Sequence, residues 1–433
     1  MTRRAVPRTA TAHAWAFKAR FRRHAFGWRG SRLAVTRVRE AVGEITKVAR
    51  KDPALAADGA VLFLERVSPA LEQVDSSSGA IGSAVNRAIA ALVPVIARAP
   101  SDGATRDAWL ERLWAAHVAD EMPYIERLGD YWGDLCASRE VASRWADRLM
   151  DDTRRALAPA RPARAFFHGT SACLSALLAS QRFDELMELL ESETFWPYKQ
   201  WRVKALLAQG RKAEAVQQAE ASRSPWTNDR AVDAMCEEIL LSSGLVDEAY
   251  RRYGLRVHIA GSYAATFRAV TNQYPNRAAR EVLAALVATT PGMEGKWFAA
   301  AKDAGFLDEA ISFARRSPAD PKTLARAARD FAESESEFAV EAGMLAIDGF
   351  AHGLGFEATG ADVLMAYAGA MKAATKLGRS ADVHQRVAET VRQDAAGVAL
   401  VRHALGAFVG NEQANADSAR YHGAGDWQSD ENV

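Results

Sequence analysis

Cysteine is scarce in this chain. The three present, Cys136, Cys173 and Cys236, lie far apart, form no CxxC pair and have no histidine at zinc-site spacing. That excludes a disulfide framework and a structural zinc site as organising devices, and it makes a reduced cytoplasmic compartment the expected location. Runs of β-branched residues are also few, which argues against a sheet-based fold. No stretch reaches the roughly 18 uninterrupted apolar residues of a membrane-spanning helix, so no membrane span is expected. The N-terminus lacks the continuous apolar segment of a secretory signal. G-x-S-x-G, H-E-x-x-H and a complete Walker motif are missing, so no catalytic residue, metal or cofactor is assigned and a non-enzymatic protein is expected.

What remains is a chain of 433 residues, 49% hydrophobic and 25% charged, with abundant Ala, Leu, Glu and Arg. Those residue types favour helix, and the fold class expected is all-α. The bland total charge of +1 hides an asymmetry: residues 1–51 hold fourteen Lys and Arg against Glu40 and Glu44, a local +12 that leaves −11 for the rest. Such polarisation points to an anionic partner. An Arg-rich, acid-free segment over residues 1–39 also fits an organellar transit peptide, a reading weakened by the Ala and Arg richness of the whole chain.

Helical signals recur from the start. A first helix is expected near residues 11–25, and "GWRG" (27–30) reads as a turn. Ser31 is then placed to cap a helix over 32–50, with Ala34, Val38, Ala41, Val42, Ile45 and Ala49 at helical period. Asp52-Pro53 opens another that Ser68-Pro69 should end. The stretch "VDSSSGAIGSAVNRAI" (74–89) precedes a stripe of Ile81, Val85, Ile89, Leu92, Val93 and Ile96, with Pro94 expected to bend the last turns. Asp75, Ser76, Ser77, Ser78 and Gly79 form either a helix cap or an anion cradle; capping by Asp75 or a serine, with Gly79 and Gly82 allowing close packing, accounts for the composition without a ligand.

Three groups of residues carry candidate chemistry. The basic N-terminal arm interleaves Trp15, Phe17, Phe21, Phe26 and Trp28 with Arg20, Arg22, Arg23, Arg29 and Arg32. Guanidiniums neutralise phosphates and aromatics stack on bases, so the composition suits nucleic acid. The competing reading buries the aromatics against the first helices and pairs the arginines with the acidic, Trp-rich region 107–134, which could itself be an acidic docking surface. His168, Ser171 and Cys173 resemble a nucleophile pair but more simply cap and pack a helix start. The i, i+4 pairs Asp107/Glu111 and Asp130/Asp134, and His117 beside Asp120 and Glu121, have no known metal-ligand or hydrolase spacing; solvated acids are the simpler reading.

Beyond "LAPARPARA" (157–165), the best boundary candidate, one phrase recurs: a turn residue before an acid-plus-small helix start. Anchored on Gln181, Gly210, Gly244, Gly305 and Gly378, its intervals are 29, 34, 61 and 73 residues. The longer two are divisible by degenerate turns in 272–283 and 333–345, the mark of stacked helix pairs. "KALLAQGRKAEAVQQAEA" (204–221) and "KDAGFLDEAISFARR" (302–316) resemble the tetratricopeptide repeat family over roughly residues 165–395, although the family's early Trp and closing Pro are mostly absent. The N-terminal half looks more like a HEAT-type array, and the combination resembles bacterial helical-repeat proteins of unknown function. In the C-terminal half, Asp320-Pro321 reads as a capped helix start, and residues 352–364 read as a long loop with Thr359 or Asp362 capping the next helix.

The resemblance implies an α-solenoid of stacked antiparallel helix pairs, HEAT-like in its N-terminal part and tetratricopeptide-like in its C-terminal part. The expected organisation is a basic arm (1–30), a HEAT-like region (31–157), tetratricopeptide-like repeats (165–410) and a disordered polar tail (411–433). The function expected is a binding scaffold that takes a protein or peptide partner on a concave face, with the arm, centred on 27–32, for an anionic partner. The alternative is a nucleic-acid-binding protein using that arm; a metal-dependent or Cys/His enzyme ranks below both.

Overall fold

The computed structural model describes residues 13–158, 167–225, 227–393 and 395–408. The first twelve arm residues, most of the boundary segment 157–165 and the expected tail lie outside the described residues. Among the described residues the regular structure is helical, with no strand, as the Ala-, Leu- and Arg-rich composition requires. The chain divides into two compact units, Met1–Ser243 and Gly244–Val433.

In the first unit, Ser31–Ala49, Pro53–Leu71 and Ala80–Arg98 pack against one another. Ala34, Val38, Ala41 and Ile45 of the first and Ile81, Val85, Ile89, Leu92, Val93 and Ile96 of the third are all buried, as their spacing predicted. Ala80–Arg98 is long and apolar enough to cross a membrane by length and composition alone, yet this apolar stripe faces the neighbouring helices. Its C-terminus is held by Arg106, 6% exposed, which donates to the carbonyls of Ile96 (2.8 Å), Ala99 (3.0 Å) and Leu135 (3.3 Å). A cation on the negative end of a helix replaces the hydration that burial removes. Further along, Trp114, Trp132 and Trp145 cluster with ring centroids 4.9–5.7 Å apart. Arg139–Leu157 and Thr170–Ala179 pack beside this cluster.

Several local expectations are corrected. The first helix covers only Ala16–Arg20, because the chain turns back through His24 (φ 55°) to bury Phe21 and Phe26. Ser31 is the first helical residue rather than the cap, which is Gly30. Pro53–Leu71 runs through Pro69, with Ala70 and Leu71 fully buried beyond it; that burial offsets the lost helical hydrogen bond. Ala80–Arg98 contains Pro94 within its last turns, where it was expected. Its cap is Gly79, at φ 67° and with no side-chain cap bond, and a Cβ on Gly79 or Gly82 would meet nothing within 4 Å, so neither glycine serves close packing.

Other caps stand as read. Asp52 accepts from Leu55 N (3.0 Å) and Asp320 from Thr323 N (3.0 Å). Thr359 and Asp362 form a reciprocal capping box.

The five repeat anchors share one backbone conformation. Gln181, Gly210, Gly244, Gly305 and Gly378 have φ of 61°, 78°, 76°, 78° and 69°, and each stands between one helix and the next. At four of them the following N–H closes back over the helix end: Arg182 to Leu177 O (3.0 Å), Arg211 to Leu206 O (2.9 Å), Phe306 to Ala301 O (2.9 Å) and Arg379 to Ala374 O (2.8 Å). This is the Schellman closure, which satisfies carbonyls the helix leaves open. Helices also pair across the two degenerate turns, Tyr263–Gln273 with Ala279–Ala288 and Pro321–Phe331 with Ser336–Ala351.

In the second unit, small residues let helices approach to backbone contact. A Cβ on Gly369 would lie 2.7 Å from the backbone at Ala328 and Arg329, and one on Gly343 would lie 2.7 Å from Ala370 Cβ. Gly369→Leu is expected to destabilise this unit by about 2–4 kcal/mol through overpacking, read as a lower denaturation midpoint in urea. Gly406→Ala, in an exposed helical position where a Cβ meets nothing within 4 Å, is the control expected not to lower that midpoint.

Candidate functional site

The described part of the arm, residues 13–30, is folded onto the first unit. Trp15, Phe17, Phe21 and Phe26 are buried, and Phe17 and Phe21 meet Phe63 edge-on at 5.7 and 5.1 Å. The Trp15 ring occupies the space a side chain at residue 59 would need, 2.2 Å from a Cβ built on Gly59. Glu44 accepts from Ala16 N (2.8 Å) and Phe17 N (3.2 Å), capping the short first helix across 27–28 residues of chain. Spacing rules look three residues ahead for such a cap, so nothing local in the sequence signalled it. Of the five arm aromatics only Trp28, 69% exposed, is open to a partner.

The arginines divide in the same way. Arg20 pairs with Glu40 (2.6 Å), which also holds Arg37 (2.6 Å). The Arg37 hydrogen bond is the main cause that keeps the Glu40 carboxyl below its ordinary pKa. Arg23 reaches Glu72 at 3.5 Å, with His24 on the same carboxylate. Among the described residues no ion pair joins the arm to residues 107–134, the partner region expected. Asp107 and Glu111 pair instead with Arg144 (2.7 Å) and Arg148 (2.5 Å) of the adjacent helix. Arg22, Arg29 and Arg32 are exposed and make no ion pair among the described residues.

The structure brings together two stretches that the sequence separates by more than forty residues. Asp75 N donates to Trp28 O (3.0 Å). Arg29, Ser31, Arg32, Val35 and Ala80 line one open basin of about 640 Å3. The first turns of Ser31–Ala49 and Ala80–Arg98 both begin at it, neither with an acidic residue in that turn nor with a side-chain bond from its cap residue. Asp75 instead accepts from Ser77 N (2.9 Å), the bond that chiefly lowers its pKa. Ser78 Oγ only approaches Ala80 N, at 3.4 Å. Two helix N-termini, each equivalent to about +0.5 charge, and two guanidiniums thus share one concavity. Chemically that arrangement suits phosphate or carboxylate oxygens.

No protein-family model matches the chain, and no curated protein matches it either.

The other candidate residues are placed differently. Cys173 is fully buried with its thiol toward Ala146 O (3.8 Å), and burial pushes its pKa up to about 11, the reverse of an activated nucleophile. Gly169, not His168 or Ser171, caps that helix. Among the described residues no group of three or more His, Cys, Asp and Glu is arranged to hold a metal ion.

His117, by contrast, is 1% exposed, with Nε2 3.1 Å from His168 O and Nδ1 unpartnered. Asp120, also buried, accepts from Ser68 Oγ and from Ile125 N (2.7 Å). This pair organises the turn after Gly103–Val118. Burial is the first cause in both shifts: it lowers the His117 pKa below 6.5 and raises that of Asp120 above 3.8.

A histidine kept neutral by the fold contributes stability that is present above pH 6.5 and is lost as pH falls from there toward its depressed folded value. Stability measured by denaturant titration should therefore fall between pH 7.5 and 5.5. In His117→Gln the slope over that window should be shallower; an equal slope would show that His117 does not contribute to it.

Proposed function

We propose that this protein is a non-enzymatic helical-repeat scaffold that binds an acidic segment of a protein partner, with the basin at Arg29 and Arg32 as the point where the partner's anionic groups are held. The observation that carries the reading is the convergence there of two helix starts, free of side chains from their cap residues, with two arginines that no carboxylate of the described chain neutralises. Anions are attracted to such a place both by the guanidinium charge and by the orphan N–H groups of the first helical turns. Trp28, exposed beside Arg29, offers flat apolar surface next to the charge.

The repeat architecture supports the scaffold half of the reading. The left-handed turns at Gln181, Gly210, Gly244, Gly305 and Gly378 are what a tetratricopeptide-like array of antiparallel pairs needs between helices, and HEAT-like pairing suits residues 31–157. A stacked array of this kind presents a concave face for a peptide or protein.

Single-stranded nucleic acid is the second reading, favoured by one observation, the exposed Trp28 between arginines. It ranks lower because Trp15, Phe17, Phe21 and Phe26 are buried, which removes the succession of stacking platforms a strand would use.

Deleting the arm would strip four aromatics from the core, so point substitution is the cleaner test. Fluorescence anisotropy of full-length protein with labelled oligoglutamate should show saturable binding that weakens with salt. Arg29→Ala with Arg32→Ala should reduce it at least about tenfold, the equivalent of one charge-assisted hydrogen bond. Labelled single-stranded RNA run alongside should bind more weakly; tighter RNA binding lost in Trp28→Ala would transfer the assignment to nucleic acid, and binding indifferent to both arginines would remove the basin from either.

A further inference from the structure

One large side chain of the second unit stands almost wholly outside the fold. Phe356 leaves 85% of its surface to solvent, the greatest exposure of any large hydrophobic residue among those described. An aromatic ring left in water forgoes the gain that burial would bring, so the position calls for a cause. A loose loop is not that cause. The segment between Ser336–Ala351 and Gly360–Lys376 is tied by Leu354 N to Gly349 O (2.9 Å), by Lys322 Nζ to Glu357 O (2.7 Å) and by the Thr359–Asp362 capping box. Gly355 sits close against the fold, where a Cβ would lie 3.1 Å from Pro321 and 3.4 Å from Phe350. Glu357 is held at φ 49°, left-handed backbone that a residue with a side chain adopts under strain. These restraints present Phe356 as a rigid knob.

The same unit holds a cleft of about 620 Å3, open to solvent, with Leu255, Ile259, Leu286 and Trp297 in its walls and Tyr263 at its edge. Trp297 is 2% exposed and meets Tyr263 edge-on at 4.8 Å, so this wall is rigid. The hydroxyls around the cleft are spent on its own frame. Thr266 Oγ1 accepts from Ala260 N (2.9 Å), Ser262 Oγ from Ala265 N (3.2 Å) and Thr290 Oγ1 from the Trp297 indole N–H (2.8 Å), while Thr289 Oγ1 donates to Leu286 O (2.6 Å). Arg256, the charged residue of the lining, is engaged within the fold. What the cleft offers an occupant is therefore apolar contact. Ile259 and Met293 extend that surface outward, 54% and 53% exposed, with Met293 Sδ 3.9 Å from the Tyr263 hydroxyl. Charge matches as well: Glu357 follows Phe356 and Lys296 precedes Trp297, both exposed and neither in an ion pair among the described residues.

We infer that the second unit docks a second copy of this chain, with Phe356 of one copy seated in the cleft of the other and Glu357 facing Lys296. Knob and cleft are both open within one chain, so their meeting takes two. A pre-organised aromatic anchor entering a pocket is how a small interface gains most of its affinity, and the flanking charges set its orientation. Knob and cleft are different patches, so the contact runs head to tail unless two of them form reciprocally. One anchor and one exposed ion pair make a weak, concentration-dependent association. The inference is independent of the Arg29–Arg32 basin, which belongs to the other unit.

Sedimentation equilibrium of the full-length protein from about 10 μM to about 1 mM should show an average mass that rises with concentration. Phe356→Asp, outside the core, and Ala260→Trp, which fills the cleft from an exposed loop position, should each stay monomeric over that range. Mixed in equal amounts the two should pair, because one keeps the cleft and the other keeps the knob; a variant that failed to fold could not restore pairing. Lys296→Glu should weaken the association about two- to fivefold, and adding Glu357→Lys in the same chain should recover it. A wild-type chain that is monomeric at every concentration, association that survives Phe356→Asp or Ala260→Trp, or a mixture that stays monomeric overturns the docking. Association unmoved by Lys296→Glu overturns the orientation of the knob in the cleft.

Discussion

At Gln181, Gly210, Gly244, Gly305 and Gly378 the chain leaves a helix through left-handed backbone. An L side chain resists that conformation by roughly 1–2 kcal/mol, while glycine adopts it freely. At four of the five the reversal closes carbonyls that one helix leaves open before the next begins. In the second unit, Gly343 and Gly369 let alanine-rich helix faces meet closely. A chain so rich in alanine has little bulk per helix to bury, so close approach replaces large side chains as the source of packing contact.

The functional surfaces are what is left once folding has used its share. Four of five arm aromatics go into the core, and Arg20 and Arg23 are occupied by Glu40 and Glu72. The remainder of that process is Trp28 with Arg22, Arg29 and Arg32. In the second unit the hydroxyls of Thr266, Ser262, Thr290 and Thr289 are likewise engaged within the fold. Charge set beside open apolar surface is where a partner of opposite sign finds a reason to bind.

Periodicity made much of the fold legible. The stripes of Ser31–Ala49 and Ala80–Arg98 were readable because helical spacing and burial are the same fact seen twice. The repeat anchors were readable because glycine marks left-handed backbone, and even Gln181 was reached by its place in the repeated phrase. What escaped was long-range. Glu44 capping Ala16 and Phe17, Arg106 on the end of Ala80–Arg98, and Asp75 bonded to Trp28 O each join residues far apart in the chain, and no local pattern encodes them. The basin escaped for the same reason: its two halves were each visible, but their meeting is a property of packing. Proline misled at Pro69, where buried neighbours outweigh a lost hydrogen bond.

The dependence of the fold on left-handed turns is tested most directly by paired Gly→Ala substitutions within the first unit. Gly210 has φ 78°; Gly43 sits in mid-helix and, like Gly210, has open space around its Cβ position. Gly210→Ala should destabilise by about 1–2 kcal/mol, and Gly43→Ala should stabilise by about 0.5–1 kcal/mol through helix propensity. Opposite shifts of the unfolding midpoint are the predicted result. Shifts of the same sign, or a Gly210→Ala protein as stable as the parent, would contradict the turn as the organising constraint.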